Sequence, residues 1–202
     1  MKAYKLTDEN GRTYGNTYWG PGVTHVASGA GYLCGSGWIH VYSHPLLAAF
    51  LNPIHANFEN PRLWECEVEG RSKNDCGLKQ GWASVTTVRE IPMPLITTQQ
   101  RVRFGILCAY QVCNSTAWIR WAEGWLSGKD RSSNKALVAG NAAALTEAAA
   151  ESAARAAEEW AEDESATAVL EAAESAQAAA REAGGKINLV EMAERAMEEG
   201  RR

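Results

Sequence analysis

The stretch AAALTEAAAESAARAAEEWAEDESATAVLEAAESAQAAAREA, residues 142–183, decides the architecture. Twenty of its 42 residues are alanine, glutamate and arginine fill many of the gaps, and neither proline nor glycine interrupts it. Alanine loses no side-chain freedom on entering a helix, so this composition is strongly helix-forming. At about 1.5 Å per residue an unbroken helix would span on the order of 60 Å. The acidic run Glu162-Asp163-Glu164 followed by Ser165 could instead start a second helix and fold the segment into a hairpin. Its only large apolar side chains are Leu145, Trp160, Val169 and Leu170, so packing has to run through alanines. An alanine face permits close approach and buries little area. The arm is therefore expected to lie on its own globule, on a second copy or on a partner. Gly184-Gly185 ends it, and a short amphipathic helix follows, with Asn188 as N-cap and Glu191 as its box partner, running to about Glu199.

The preceding residues have a different texture. Residues 2–7, KAYKLT, read as a first strand, and Asp8-Glu9-Asn10-Gly11 as a turn leading to a hairpin partner over 12–19. Six glycines between Gly20 and Gly37 predict loop, with short strands at 23–27 and 38–42. Ser43-His44-Pro45 opens a helix that Asn52-Pro53 is expected to stop. In LWECEVE, 63–69, Trp64, Cys66 and Val68 alternate with Glu65, Glu67 and Glu69, the signature of a half-buried strand. A polar loop over 70–80 and a further strand from Trp82 to Ile91 follow. Thr97-x-x-Gln100 has the form of a capping box for a helix over about 98–113. Ser115 caps another, whose Trp118, Trp121 and Trp125 share one face and read as core, with Gly128 ending it. The expected fold class is α+β, a small mixed sheet with helices followed by a long Ala/Glu-rich helical arm or helical hairpin. The expected domains are a mixed α/β globule over 1–131 and an acidic alanine-rich helical region over 132–202.

Charge divides along the same line. Residues 1–140 carry 14 Lys/Arg against 10 Asp/Glu, and residues 141–202 carry 6 against 14, leaving +4 and −8. Dense basic clustering of the kind that binds nucleic acid is missing. The sequence has no run of about 18 apolar residues and no apolar signal block after Met1, so a soluble cytoplasmic protein without membrane association is expected. Five cysteines without a C-x-x-C pair predict reduced thiols rather than a disulfide framework or zinc ribbon.

The motifs of P-loop, α/β-hydrolase and zincin chemistry are absent. Gly29-Ala-Gly31-Tyr-Leu-Cys-Gly35 has one residue too many for a dinucleotide fingerprint. Cys34, His40, His44 and His55 offer zinc donors at unsuitable spacing, so no metal is expected. The grouping of interest is Tyr4-Lys5, then Trp38-Ile39-His40-Val41-Tyr42-Ser43 ahead of a helix, then the carboxylates at 65, 67 and 69.

The stretches KAYKLTDENGRTYG, LCGSGWIHVYSHPLLAAFLNPIHANFENPRLWECEVEG, REIPMPLITTQQRVRFGILCAYQVC and WAEGWLSGKDRS resemble an uncharacterised family of phage and prophage proteins with an alanine-rich helical tail. That resemblance covers residues 1–131 and, by composition, the alanine-rich tail as well, and implies an accessory viral protein acting in the host bacterial cytoplasm. A second, weaker resemblance is to the ADP-ribosyltransferase-like fold, where a first-strand Arg or His, an aromatic or hydroxyl residue leading into a helix and a later Glu hold NAD. It maps onto Lys5, His40 or Tyr42, and Glu67, with Lys5 in place of the usual Arg or His and no Ser-Thr-Ser element.

Three functional expectations follow. The first is a non-enzymatic protein without a cofactor that binds and modulates or inhibits a host protein or protein–nucleic-acid complex, as an anti-defence or anti-CRISPR inhibitor would. Its contacts would be Trp38, His40 and Tyr42, and Glu158, Glu159, Trp160, Glu162, Asp163 and Glu164 on the arm. The second is an NAD-using transferase in which His40 or Tyr42 binds the nicotinamide ribose and Glu67 acts at the anomeric centre. The third is a structural phage protein forming a homo-oligomer through the arm.

Overall fold

The computed structural model describes residues 1–143, 147–162 and 166–198, without the side chains of 161 and 162. The fold is α+β, and the chain forms two compact units, Met1–Leu95 and Ile96–Arg202.

The first unit contains β1 (Lys2–Thr7), β2 (Arg12–Thr13), β3 (Thr17–Tyr18), β4 (Thr24–Val26), β5 (Ile39–Val41), helix α1 (Pro45–His55), β6 (Arg62–Asn74) and β7 (Gln80–Ile91). The main sheet runs β1-β6-β7-β4 with β5 also on β7, and all its pairings are antiparallel. Tyr4 and Tyr42 exchange backbone hydrogen bonds of 2.9 and 2.7 Å. β1 is thus paired on both sides, with β6 and with Tyr42, and the sheet curls toward a closed barrel that leaves β1 no free edge at that point. Ala3, Trp19, Val41, Trp64, Cys66, Val68 and Val85 form its buried core.

The alternation expected of LWECEVE is present. Trp64, Cys66 and Val68 are buried, Glu67 and Glu69 are exposed, and Glu65 bridges Lys2 at 2.7 Å and Arg89 at 3.0 Å. Three local expectations change. The turn at residues 8–11 forms, with Asp8 Oδ1 accepting from the Asn10 and Arg12 amides, but β1 pairs with β6 while β2 pairs with β3. The segment expected as a polar loop over 70–80 is mostly strand, since β6 continues to Asn74 across a register shift between Glu69 and Ser72, where Gly70 takes φ +82°. Helix α1 passes through Pro53 to His55. Pro53 lies in the last turn, where Asn52 O accepts from the Ala56 amide at 3.1 Å and closes the helix.

The second unit contains α2 (Thr98–Ala109), α3 (Thr116–Leu126), α4 (Ser133–Ala143), α5 (Ala148–Glu162), α6 (Ala166–Glu182) and α7 (Leu189–Met197). The capping box at Thr97/Gln100 and the Ser115 and Asn188 N-caps all form. Helices α5 and α6 pack together, as the hairpin alternative expects; residues 163–165, which include Asp163 and Glu164, lie outside the described residues, as does Leu145. The alanine faces are covered inside this unit. Helix α2 packs on α5, α6 and α7, and brings Val102, Phe104, Ile106 and Leu107 to buried positions. Ala149, Ala153, Ala156, Ala172, Ala176 and Ala179 are fully buried. The units therefore part at Leu95/Ile96 rather than at 131/132, because α2 and α3 supply the bulk that the alanine helices lack. Trp118 and Trp125 are buried as the stripe predicts, and Trp121 is half-buried. Among the described residues no helix is long and apolar enough to cross a membrane.

Candidate functional site

The expected residues Lys5, His40 and Tyr42 come together in the first unit, around a cavity of about 310 Å³ that His55, Phe58 and Lys79 also line, with Tyr14 and Thr13 at its wall. That volume is at the small end of ligand pockets, which run from about 300 to 1,000 Å³. Among the described residues no acidic side chain lines it.

Lys5 alternates inward with Ala3 and Thr7, opposite Trp64 in the β1–β6 register, and keeps only 6% of its surface exposed. Its Nζ donates to the His40 carbonyl at 3.2 Å and lies 4.5 Å from the centre of the Trp19 ring. Trp19 is fixed by its own Nε1–H on Thr13 Oγ1 at 2.9 Å. Among the described residues Lys5 has no carboxylate partner, and burial pushes its ammonium down to about 8.

His40 sits on β5 opposite Gly81. A Cβ at Gly81 would stand 2.5 Å from Leu33 Cδ1 and 2.9 Å from Trp38 Cβ, so only glycine lets the 31–38 loop lie against β7. That approach brings the Leu33 carbonyl to His40 Nε2 at 2.5 Å. The carbonyl can only accept, so the His40 proton is on Nε2 and Nδ1 is left as an acceptor. Burial lowers the His40 pKa, and the Lys79 and Lys5 charges lower it further.

Tyr42 is 5% exposed, its hydroxyl lies within hydrogen-bonding distance of His55 Nδ1 at 3.3 Å, and the two rings stack at 5.9 Å. Burial raises the Tyr42 pKa, so the phenol stays protonated. His55 is placed by α1, whose N-cap is His44: its Nδ1 accepts from the Leu46 amide at 3.3 Å. The Asn52 side chain holds both backbone groups of Phe58, at 3.2 and 2.9 Å, and so sets that ring at the cavity.

The other expected residues lie elsewhere. Glu67 is exposed on β6 and outside the cavity lining, with Lys2 and Thr86 as its cross-strand neighbours. Trp38 is 6% exposed and packs in the loop, its Nε1–H on the Gly31 carbonyl at 3.2 Å. On α5, Glu159 is exposed and Glu158 half-buried. Trp160 is half-buried with its ring 5.8 Å from Trp125, and Glu162 lies on the helix without a described side chain. Among the described residues no three metal-ligating side chains gather, and His40, His44 and His55 each have separate contacts. Sequence reasoning singled out Lys5, His40 and Tyr42 but did not place Phe58 or Lys79 with them; the fold alone brings the turn after α1 and the β6–β7 turn to β1. No protein-family model, curated protein or solved structure matches the chain.

Proposed function

We propose that the protein is a non-enzymatic accessory binding protein, of phage type as its resemblance implies, whose first unit recognises an anionic group, phosphate or carboxylate, in the Lys5/His40/Lys79 cavity. The supporting observation is Lys5, a buried ammonium lining a cavity with a second cation and no acid. An isolated buried charge is costly, and an anionic ligand oxygen would compensate it. The anion would be presented by a free metabolite or by a host macromolecule, the second matching a host-directed inhibitor.

The NAD-using transferase is kept as a second reading because Lys5, His40 and Tyr42 line one cavity. It lacks its carboxylate there, since Glu67 is exposed outside the lining. Calorimetric titration of the full chain with pyrophosphate and with NAD tests both. Saturable pyrophosphate binding that Lys79→Ala weakens about tenfold, the worth of one charged hydrogen bond, supports the anion site. Absence of binding by either compound overturns it. Release of nicotinamide from NAD would favour the transferase, and Glu67→Gln would then separate a catalytic from a surface role.

A further inference from the structure

The two lysines at the cavity are not equivalent. Lys79 is half-buried in the β6–β7 turn, whereas Lys5 lies on the inner wall of the sheet, held by a carbonyl and an aromatic face rather than by a carboxylate. An ammonium that serves only to balance an acid would have that acid beside it. A lysine without one, facing a cavity, has the placement that amine chemistry needs.

We propose that Lys5 is a covalent attachment point, forming an imine with a small ligand that carries both an aldehyde and an anionic group. The proposal rests on the anion site above and assigns different work to its two cations: Lys79 attracts the anion, and Lys5 takes the carbonyl carbon. The Nζ lone pair attacks that carbon to give a carbinolamine. The carbonyl oxygen then leaves as water, carrying the two hydrogens that the neutral amine gives up, so nothing is oxidised or reduced. His40, whose Nδ1 is the acceptor nitrogen, lines the same cavity and can carry the proton movements. The proton released when the ammonium becomes the attacking amine returns to the imine nitrogen, so the positive charge that compensates the anion is present before and after the step.

Desolvation favours the same chemistry. With its pKa near 8, roughly a tenth of Lys5 is free base at pH 7, about two hundredfold more than an ordinary lysine at about 10.4. Lys5 lines the cavity, so attack requires only a ligand small enough for a volume of about 310 Å³.

The test uses the full chain with pyridoxal 5′-phosphate at pH 7, cyanoborohydride reduction and peptide mapping by mass spectrometry. Binding of pyridoxine 5′-phosphate, the alcohol that cannot form an imine, is measured in parallel. The expected result is a reduced adduct on Lys5 ahead of the exposed Lys2, Lys73 and Lys135, lost in Lys5→Arg. Mapping in the unaltered protein keeps the result independent of whether the variant folds. Adducts confined to exposed lysines while the alcohol still binds would overturn the imine and leave the anion site standing. Failure of both compounds to bind would overturn both.

Discussion

The Gly105 backbone on α2 lies so close to Ala172 on α6 that a Cβ at residue 105 would stand 2.9 Å from the Ala172 carbonyl oxygen. The same contact is stitched by Ser175 on α6, whose buried hydroxyl lies 3.1 Å from the Gly105 carbonyl and 2.8 Å from that of Ala149 on α5. Small residues thus let three helices meet backbone to backbone, and the alanine-rich sequence gains in fit what it forgoes in side-chain area.

Gly105→Ala is expected to destabilise the protein by about 1–3 kcal/mol, the usual cost of overpacking, despite alanine's better helix propensity. Gly124→Ala on α3, where the added Cβ meets nothing within 4 Å, should instead stabilise by about 0.5–1 kcal/mol. Urea midpoints of the two variants check the pair; a matching shift in both would contradict the close approach of α2 and α6.

Two buried tryptophans of α3 should also respond differently. Trp118 Nε1–H donates to the Ala150 carbonyl at 2.8 Å, while Trp125 Nε1 is buried without a hydrogen-bond partner among the described residues. Trp118→Phe removes that bond and is expected to cost about 1 kcal/mol beyond the lost volume; Trp125→Phe breaks no hydrogen bond of the ring and should cost less. Thermal unfolding of both variants makes the comparison.

Glu147 ties the loop after α2 to the start of α5, accepting from the Cys113 thiol at 2.7 Å and the Asn114 amide at 2.8 Å. Burial works against its charge, but hydrogen bonds from Cys113, Asn114 and Ser115 together hold its carboxyl below the usual value. Its contribution is therefore present above about pH 4.3, the ordinary carboxyl value, and is lost as pH falls through the lower folded value. Glu147→Gln is expected to lower stability by about 1 kcal/mol at pH 7 and by less at pH 3, read from urea midpoints at the two pH values.

Much of this fold is legible in the chain. Thr97/Gln100, Ser115 and Asn188 announce helix starts because capping is local chemistry, and Trp64, Cys66 and Val68 announce a buried strand face because alternation is local geometry. The unit boundary is not legible, since composition changes near residue 132 while packing groups α2 and α3 with the alanines. Lys5 is harder still. In KAYKLT the apolar Tyr4 and Leu6 suggest an inward face that would turn Lys5 to solvent. The curled sheet and α1 cover both faces, and the Tyr4–Tyr42 closure puts Lys5 inside. That closure is a long-range event without a local signal.

The buried ammonium also makes a stability prediction. Because the folded pKa of Lys5 lies below its unfolded value, the unfolded chain holds more protons between about pH 8 and 10.5, and stability attributable to this residue rises with pH across that window. Below it the folded protein bears the full cost of the charge, on the order of 3 kcal/mol. Lys5→Met is expected to raise the melting temperature at pH 7 and to lose that advantage above about pH 10.5, as followed by calorimetry.

Whether Lys5 is an uncompensated amine at a ligand cavity is decided by titrating its Nζ and Cε resonances in isotope-labelled full-length protein. The expected midpoint is near 8, moving upward when a phosphate-bearing ligand is added. A midpoint at the ordinary value of about 10.4, unmoved by such ligands, would contradict it.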